Sequence, residues 1–317
     1  MAIAANHATW AEPMPADEAL RGRARTGLAL LMDGKLEEAI GVFREIQKAD
    51  PQSPLGDVLE ANALWWRIFY STGNLIDPDV FITPERPTTP QEMRFEMLLD
   101  AAIAKSEARI KAQQAVARSY LYQGMAYGLR GRLAALRNRG LSTARAGKKM
   151  RSALLKAVEL DPYLTDAYAG IGNYNYFVDT LSAIVKFLGF FIGLPGGNRV
   201  EGLKQLQFCA EKGDLARAEA KFYLAKNYSR PNERQFERSR QLFQELQSEY
   251  PNNPLWPMMV ASLDCRMGHS EPCERGYRAV LERTARPRNE VDEALHHAAR
   301  YALQRRHPGE KIDSLNQ

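Results

Sequence analysis

The sequence has few cysteines and no recognisable export signal, and both absences bear on where the protein works. The 317 residues include three cysteines, Cys209, Cys265 and Cys273, too few and too scattered to predict a disulfide framework or a cysteine-rich metal site. A reducing compartment such as the cytoplasm is therefore expected. Residues 1–15 contain no basic residue and no sustained apolar run, so no secretory signal is predicted there. A periplasmic or exported location would require a signal peptide that has been removed.

Long hydrophobic runs are also missing. The most apolar stretch, AIVKFLGFFIGL from Ala183 to Leu194, contains Lys186 and covers 12 residues, against the roughly 20 that a membrane-spanning helix needs. A soluble chain is therefore predicted. We expect this apolar insertion to be buried against the rest of the protein, because large apolar side chains usually lie in a core. The lining of an apolar pocket and a position at a membrane surface are the alternatives, and composition alone does not separate the three.

Motifs for catalysis, cofactors and metals are absent as well. The segment GLPGGNR, from Gly193 to Arg199, lacks the lysine and hydroxyl residue of a phosphate-binding loop and instead predicts a turn before a helix. His296 and His297 are adjacent, so on a helix they would point about 100° apart, which disfavours joint metal ligation. No local motif marks a serine, histidine and acid group. The chain is therefore predicted to be no enzyme and to bind no cofactor or metal.

The positive charge of the chain is concentrated in one stretch. Lys and Arg exceed Asp and Glu by only 43 to 38 overall. From Lys105 to Lys156, however, there are 13 basic residues and one acidic residue, a local net charge of +12. This stretch would attract an acidic protein segment or an anionic membrane surface, and Arg145, Lys148 and Lys149 form the predicted basic patch. A solvated helical face is the alternative. Nucleic acid is not expected, because the basic residues have no interleaved exposed aromatics.

Three stretches share one pattern, an amphipathic helix that ends at a proline-containing turn. The turns are Asp50-Pro51, Asp161-Pro162 and Tyr250-Pro251. Proline ends each helix because its ring clashes with the preceding turn and it has no N–H to donate. A second helix precedes each stretch, with Gly27, Gly124 or Gly172 in its interior. Glycine costs about 1 kcal/mol relative to alanine in a helix, so close approach of a neighbouring helix is expected at these positions.

The repeat resembles that of the tetratricopeptide family. In the segment Thr165 to Phe177, the spacing of Tyr168, Ile171, Gly172 and Asn175 is that of the family's first helix. From Pro254 to Pro287, a unit of 34 residues with the family's period, the positions that fit are Ala261, Cys273, Tyr277 and Val280. The resemblance implies an all-α fold, a right-handed α-solenoid of helical hairpins. It also implies a non-catalytic scaffold or adaptor that binds a protein or peptide. The basic stretch would favour an acidic partner.

The resemblance divides the chain into repeats. The candidate units are Leu20 to Ser53, Ala117 to Leu164, Thr165 to Leu215, Ala216 to Asn253 and Pro254 to Pro287, with a closing helix from Asn289 to Arg306. Irregular helices are predicted at 55–70 and 91–116, separated by a proline-rich loop. We therefore expect an N-terminal portion, 1–90, and a repeat array, 91–317. Two units carry insertions, around 138–149 and ending at 189–199.

The family's groove-facing positions can be transferred to this sequence one by one. The resulting partner-binding candidates are Arg118, Leu121, Met125, Asp166, Asn173, Tyr176, Lys221, Tyr228, Met258 and Ser262. The alternative for each is packing against a neighbouring helix. The alternative function is a peripheral membrane or lipid-associated module that uses the apolar insertion, 183–194, together with the basic segment, 105–156.

Overall fold

The computed structural model describes residues 15–73, 75–76, 87–181 and 193–306, and every regular element within them is an α-helix. These residues form α1 (Pro15–Met32), α2 (Leu36–Ala49), α3 (Leu55–Ser71), α4 (Pro90–Lys111), α5 (Val116–Leu136), α6 (Gly140–Leu160), α7 (Ala167–Thr180), α8 (Arg199–Lys212), α9 (Arg217–Tyr228), α10 (Phe236–Glu249), α11 (Leu255–Arg266), α12 (Ser270–Arg283) and α13 (Glu290–Arg306). Helices that follow one another in sequence pack against one another. The predicted all-α helical-repeat solenoid is confirmed.

The proline-containing turns end helices as predicted. α2 ends at Ala49, α6 at Leu160 and α10 at Glu249, each two residues before a proline. At the first of these turns, the carboxylate of Asp50 accepts hydrogen bonds from the backbone N–H groups of Gln52 and Ser53, at 3.1 and 3.0 Å. Such a bond from side chain to backbone holds the chain in a turn, which directs it from α2 into α3.

The interior glycines lie where helices touch. A Cβ atom at Gly27 would be 2.4 Å from the ring of Phe43, and one at Gly124 would be 2.4 Å from a methyl carbon of Leu154. At Gly172 the nearest atom would be the carbonyl oxygen of Gly202, at 2.7 Å. The predicted close approach is confirmed at these three positions.

One predicted boundary was wrong. The irregular helix expected at 91–116 ends at Lys111, because Gln113 and Ala115 adopt the left-handed conformation, with φ of 57° and 43°, and turn the chain into α5. The insertion around 138–149 is helical from Gly140 onward. It lengthens α5 and α6 to 21 residues each, so this hairpin is longer than its neighbours.

α3 is enclosed by helices from both ends of the array. All of its residues are buried except Arg67 and Ser71. Its Trp66 ring lies 5.0 Å from that of Phe222 in α9 and 6.3 Å from that of Trp256 in α11. As the first helices of their hairpins, α9 and α11 would line an open groove in a solenoid of this type. Here they pack on α3, and an aromatic core occupies the place of a groove.

The two ends of the array meet. The carboxylate of Asp33, after α1, accepts a hydrogen bond of 2.9 Å from the backbone N–H of Asn252, before α11. Arg67 of α3 donates to Glu290 of α13 at 2.5 Å. One hydrophobic cluster accordingly includes buried residues from Ala24 to Leu303. The predicted division at residue 90 stays a prediction, since 77–86 lie outside the described residues.

A disulfide joins Cys265 and Cys273, whose Cα atoms lie 5.0 Å apart. The sequence leaves this pairing open, because two cysteines eight residues apart can bond only if their Cα atoms come within about 7 Å. The turn between α11 and α12 brings the two positions to that distance. Cys209 is a buried free thiol. A disulfide is typical of an oxidising compartment. The location of the protein is not determined by this bond, and the expected reducing compartment stays a prediction.

Within the described residues, no helix has both the length and the apolar character to cross a bilayer. Residues 182–192, which hold most of the apolar insertion, lie outside the described residues, so its expected burial stays a prediction.

Candidate functional site

Most of the predicted groove residues are buried. Seven of the ten are enclosed within the helical array: Leu121, Asp166, Tyr176, Lys221, Tyr228, Met258 and Ser262. A partner reaches such side chains only if neighbouring helices separate, so their role in binding stays a prediction.

Asp166 and Lys221 have intramolecular partners that explain their burial. The carboxylate of Asp166 accepts hydrogen bonds from the three backbone N–H groups just before α9, those of Asp214, Leu215 and Ala216, at 2.7, 3.0 and 3.0 Å. Burial nevertheless raises its pKa above the ordinary value. Lys221 Nζ donates to Glu249 Oε1 at 2.7 Å. Both side chains therefore connect helices within the array.

Tyr176 is fully buried beside α9. Its hydroxyl lies 3.5 Å from both the main-chain oxygen of Asn227 and the side-chain oxygen of Asn232. Desolvation raises its pKa to about 12, so the phenol stays neutral at physiological pH. Its ring contacts Phe177 edge-on, with centroids 5.5 Å apart. Tyr176 thus packs α7 against the following hairpin.

The three remaining candidates, Arg118, Met125 and Asn173, are half-buried. They lie on α5 and α7, two first helices in the middle of the array. The side-chain oxygen of Asn173 is buried and has no hydrogen-bond partner among the described residues. A buried acceptor without a donor costs about 1–3 kcal/mol, which a donor from a bound segment would offset.

Five cations of the basic stretch pair with carboxylates from other elements. The ion pairs are Lys105 with Asp57, Arg109 with Asp50, Arg130 with Glu96 and Asp100, Arg132 with Glu219, and Arg137 with Glu92. The acids come from α3, α4, α9 and the turn after α2. These pairs lower the net positive charge of the stretch in the folded protein.

The predicted basic patch is an exception. Arg145, Lys148 and Lys149 are exposed on α6, and within the part of the chain that the structure describes they have no carboxylate partner. Lys149 Nζ lies 5.1 Å from the ring centroid of Tyr127, a cation–π contact. These side chains border an open groove of about 740 Å³ between α5, α6 and the chain before α8.

Metal-binding geometry is lacking in the described ranges, where no group of three or more His, Cys, Asp and Glu side chains converges on one point. His296 Nδ1 instead lies 3.0 Å from Thr284 Oγ1. Burial, followed by the charge of Arg300, lowers the pKa of His296.

Comparison with known families decides what kind of hairpin this array contains. Residues 219–253, which hold nearly all of α9 and the whole of α10, match the family model for the tetratricopeptide repeat. The chain contains a tetratricopeptide repeat. The matched residues are those of the unit predicted from Ala216 to Asn253. No curated protein matches the chain. The tetratricopeptide hairpin packs on α8 and α11 as one member of the continuous helical array.

Proposed function

We propose that this tetratricopeptide protein is a non-catalytic scaffold that binds a protein or peptide partner. The observation that carries the proposal is the tetratricopeptide hairpin at 219–253 within a continuous array of packed helices. Proteins with this repeat generally act in protein–protein interaction. Stacked helical hairpins are suited to this role, because they present an extended, rigid surface.

The proposed surface lies on α5 and α7, where the predicted groove residues are not all enclosed. Arg118, Met125 and Asn173 are the predicted groove residues that stay half-exposed. They offer a cation, a flexible apolar side chain and an amide whose oxygen lacks a donor. This combination suits a peptide, whose backbone needs hydrogen-bond partners and whose side chains need apolar contacts.

Site-specific photo-crosslinking in cells tests the scaffold. A photoreactive residue replaces Met125 in one variant and Tyr301, which is 61% exposed on α13, in a control. We expect a reproducible protein adduct at Met125 that is missing at Tyr301. Absence of any reproducible adduct from both positions, and of any co-purifying protein, would remove the support for a scaffold.

A second candidate is a peripheral membrane module that uses the apolar insertion. It is favoured by two exposed apolar side chains, Phe177 and Val200, 36% and 56% exposed, close to the two ends of the segment 182–192. Vesicle flotation of the native protein and of a Phe177→Ser/Val200→Ser variant tests this candidate. Flotation that is lost in the variant, at unchanged melting temperature, would favour it over the scaffold. A native protein that does not float would reject it.

A further inference from the structure

One face of the α5–α6 hairpin carries three cations without a carboxylate partner among the residues that the structure describes. We call it the α6 cationic groove, and it is lined by Tyr127, Arg130, Arg145, Lys148, Lys149 and Leu194. Its lining comes from α5, α6 and Leu194 and includes no residue of α3. It is therefore a separate surface from the one on which α3 packs.

The cations of the groove repel one another. Arg145, Lys148 and Lys149 are spaced three and four residues apart, so they share one side of α6, where like charges destabilise a helix. Arg130 is paired with Glu96 and Asp100. Among the described residues no carboxylate reaches the other three cations. A bound anionic group would relieve this repulsion.

The start of α6 adds to the positive potential. Its N-cap residue, Arg139, makes no side-chain hydrogen bond to the first turn. The N–H groups of this turn therefore have no side-chain acceptor at the cap, and the helix dipole places partial positive charge there. Ser142 of this turn also lines the groove. The three cations and the helix dipole together favour the binding of an anion along the first three turns of α6.

The shape of the groove suits a peptide segment of a partner protein. Its volume of about 740 Å³ falls within the roughly 300–1,000 Å³ typical of ligand-binding clefts. A flat bilayer surface contacts protruding side chains and does not enter a cleft of this kind. The lining also includes the apolar or partly apolar side chains of Tyr127 and Leu194, both half-buried. They suit an apolar side chain that is flanked by carboxylates.

We propose that the α6 cationic groove is the docking site for an acidic segment of a protein partner, with carboxylates on Arg145, Lys148 and Lys149 and an apolar side chain against Tyr127 and Leu194. The proposal rests on the scaffold function and names the chemistry of its partner. Charge complementarity steers the association of such partners and gives it specificity.

Fluorescence anisotropy with the full chain tests the docking site. The probe is a short labelled peptide in which Glu and Asp flank a Phe, and its neutral counterpart carries Gln and Asn instead. We expect the acidic peptide to bind and the neutral peptide not to bind. The variant Arg145→Glu/Lys148→Glu/Lys149→Glu should weaken binding about tenfold or more at low salt, and the loss should shrink as salt screens the charges.

Two further variants control for charge and folding. Arg283→Glu/Arg286→Glu/Arg305→Glu makes the same charge change at exposed residues that do not line the groove, and it should keep native affinity. Replacement of Arg145, Lys148 and Lys149 by Gln should give an intermediate loss at an unchanged melting temperature. Equal losses in the two charge-reversed variants would overturn the proposal.

An anionic membrane is the competing partner, and vesicle flotation tests it. Flotation with phosphatidylserine vesicles that depends on the three groove cations, without binding of the acidic peptide, would overturn the docking proposal in favour of a membrane contact. If the Met125 crosslink persists while the acidic peptide fails to bind the native protein, the docking proposal is wrong and the scaffold stands. Loss of both would reject the scaffold as well.

Discussion

The indole N–H of Trp256 donates a hydrogen bond of 3.1 Å to the main-chain carbonyl oxygen of Met32, 224 residues earlier in the chain. Asn253 Nδ2 donates to the same oxygen at 2.9 Å. Met32 is the last residue of α1 and Trp256 lies in the first turn of α11. This contact therefore joins the N-terminal hairpin to the C-terminal repeats, and the Trp256 ring packs against Trp66 of the enclosed α3.

Truncation of Trp256 tests the closure of the array. Because the side chain is fully buried, Trp256→Ala should lower the free energy of unfolding by about 3–5 kcal/mol, measured by urea denaturation. Tyr301→Ala, at a residue that is 61% exposed, should change it by no more than about 0.5 kcal/mol. Equal small effects of the two variants would show that α1 and α11 do not depend on each other.

The contact between α7 and α8 depends on two facing glycines. A Cβ atom at Gly172 would lie 2.7 Å from Gly202 O and 2.9 Å from Leu206 N, both backbone atoms. Gly172→Ala should therefore destabilise the protein, by about 1–3 kcal/mol, in spite of the better helix propensity of alanine. Gly41→Ala is the matched control, because a Cβ there meets nothing within 4 Å, and it should be neutral or stabilising. Thermal melts should show a lower melting temperature for Gly172→Ala and an unchanged or higher one for Gly41→Ala.

The ion pairs of Asp214 predict a loss of stability in acid. Burial raises the pKa of Asp214, but hydrogen bonds from Arg25 and Arg21 and their charges outweigh it, and the pKa lies below its ordinary value of 3.8. The carboxylate therefore stabilises the folded state fully above that value, and this stabilisation is lost as pH falls through the lower, folded pKa.

Denaturation free energies from about pH 5 to about pH 3 check this dependence. The free energy of unfolding should fall less steeply over this range for Asp214→Asn than for the native protein, because the variant has no carboxylate at this position to protonate. The exposed substitution Glu282→Gln should keep the native slope. Identical slopes for all three proteins would contradict a role of Asp214 in holding α1 to the start of α9.

The disulfide makes redox state a determinant of stability. It closes a loop between residues eight apart, for which loop-closure entropy predicts about 2–3 kcal/mol. Dithiothreitol should lower the melting temperature of the native protein, and Cys265→Ser/Cys273→Ser should be insensitive to it. Thiol titration of the unfolded, unreduced protein should give one group, that of Cys209. Its pKa is raised by burial in the folded state. Three titratable thiols and an unchanged melting temperature would contradict the bond.

Much of the hairpin architecture was predictable from short stretches of sequence. The turn at Asp50-Pro51 ends α2 because of the chemistry of proline and of the aspartate side chain, which acts on residues two and three positions away. The close contact at Gly172 follows from the cost of glycine in a helix. The disulfide was not predictable in this way, since it depends on how the turn after α11 brings Cys265 and Cys273 together.

The candidate site was predictable only in part. The basic patch on α6 followed from the density of charge in the sequence, but neither the neutralisation of Arg132 by Glu219 nor the burial of Met258 could be inferred. A repeat pattern tells which face of a helix packs inside its own hairpin. It does not tell whether the opposite face meets solvent or a distant helix.

By itself, the sequence of this protein determined its helices, their turns and the glycine contacts inside the hairpins, because those depend on interactions between neighbouring repeats. Only the tertiary structure decided that α3 would be enclosed and that Met32 would meet Trp256. It also decided that, among the described residues, no carboxylate would pair with Arg145, Lys148 or Lys149. The path of a solenoid accumulates small rotations between successive hairpins. The contacts that close the array therefore join residues more than two hundred positions apart, and no local sequence pattern predicts them.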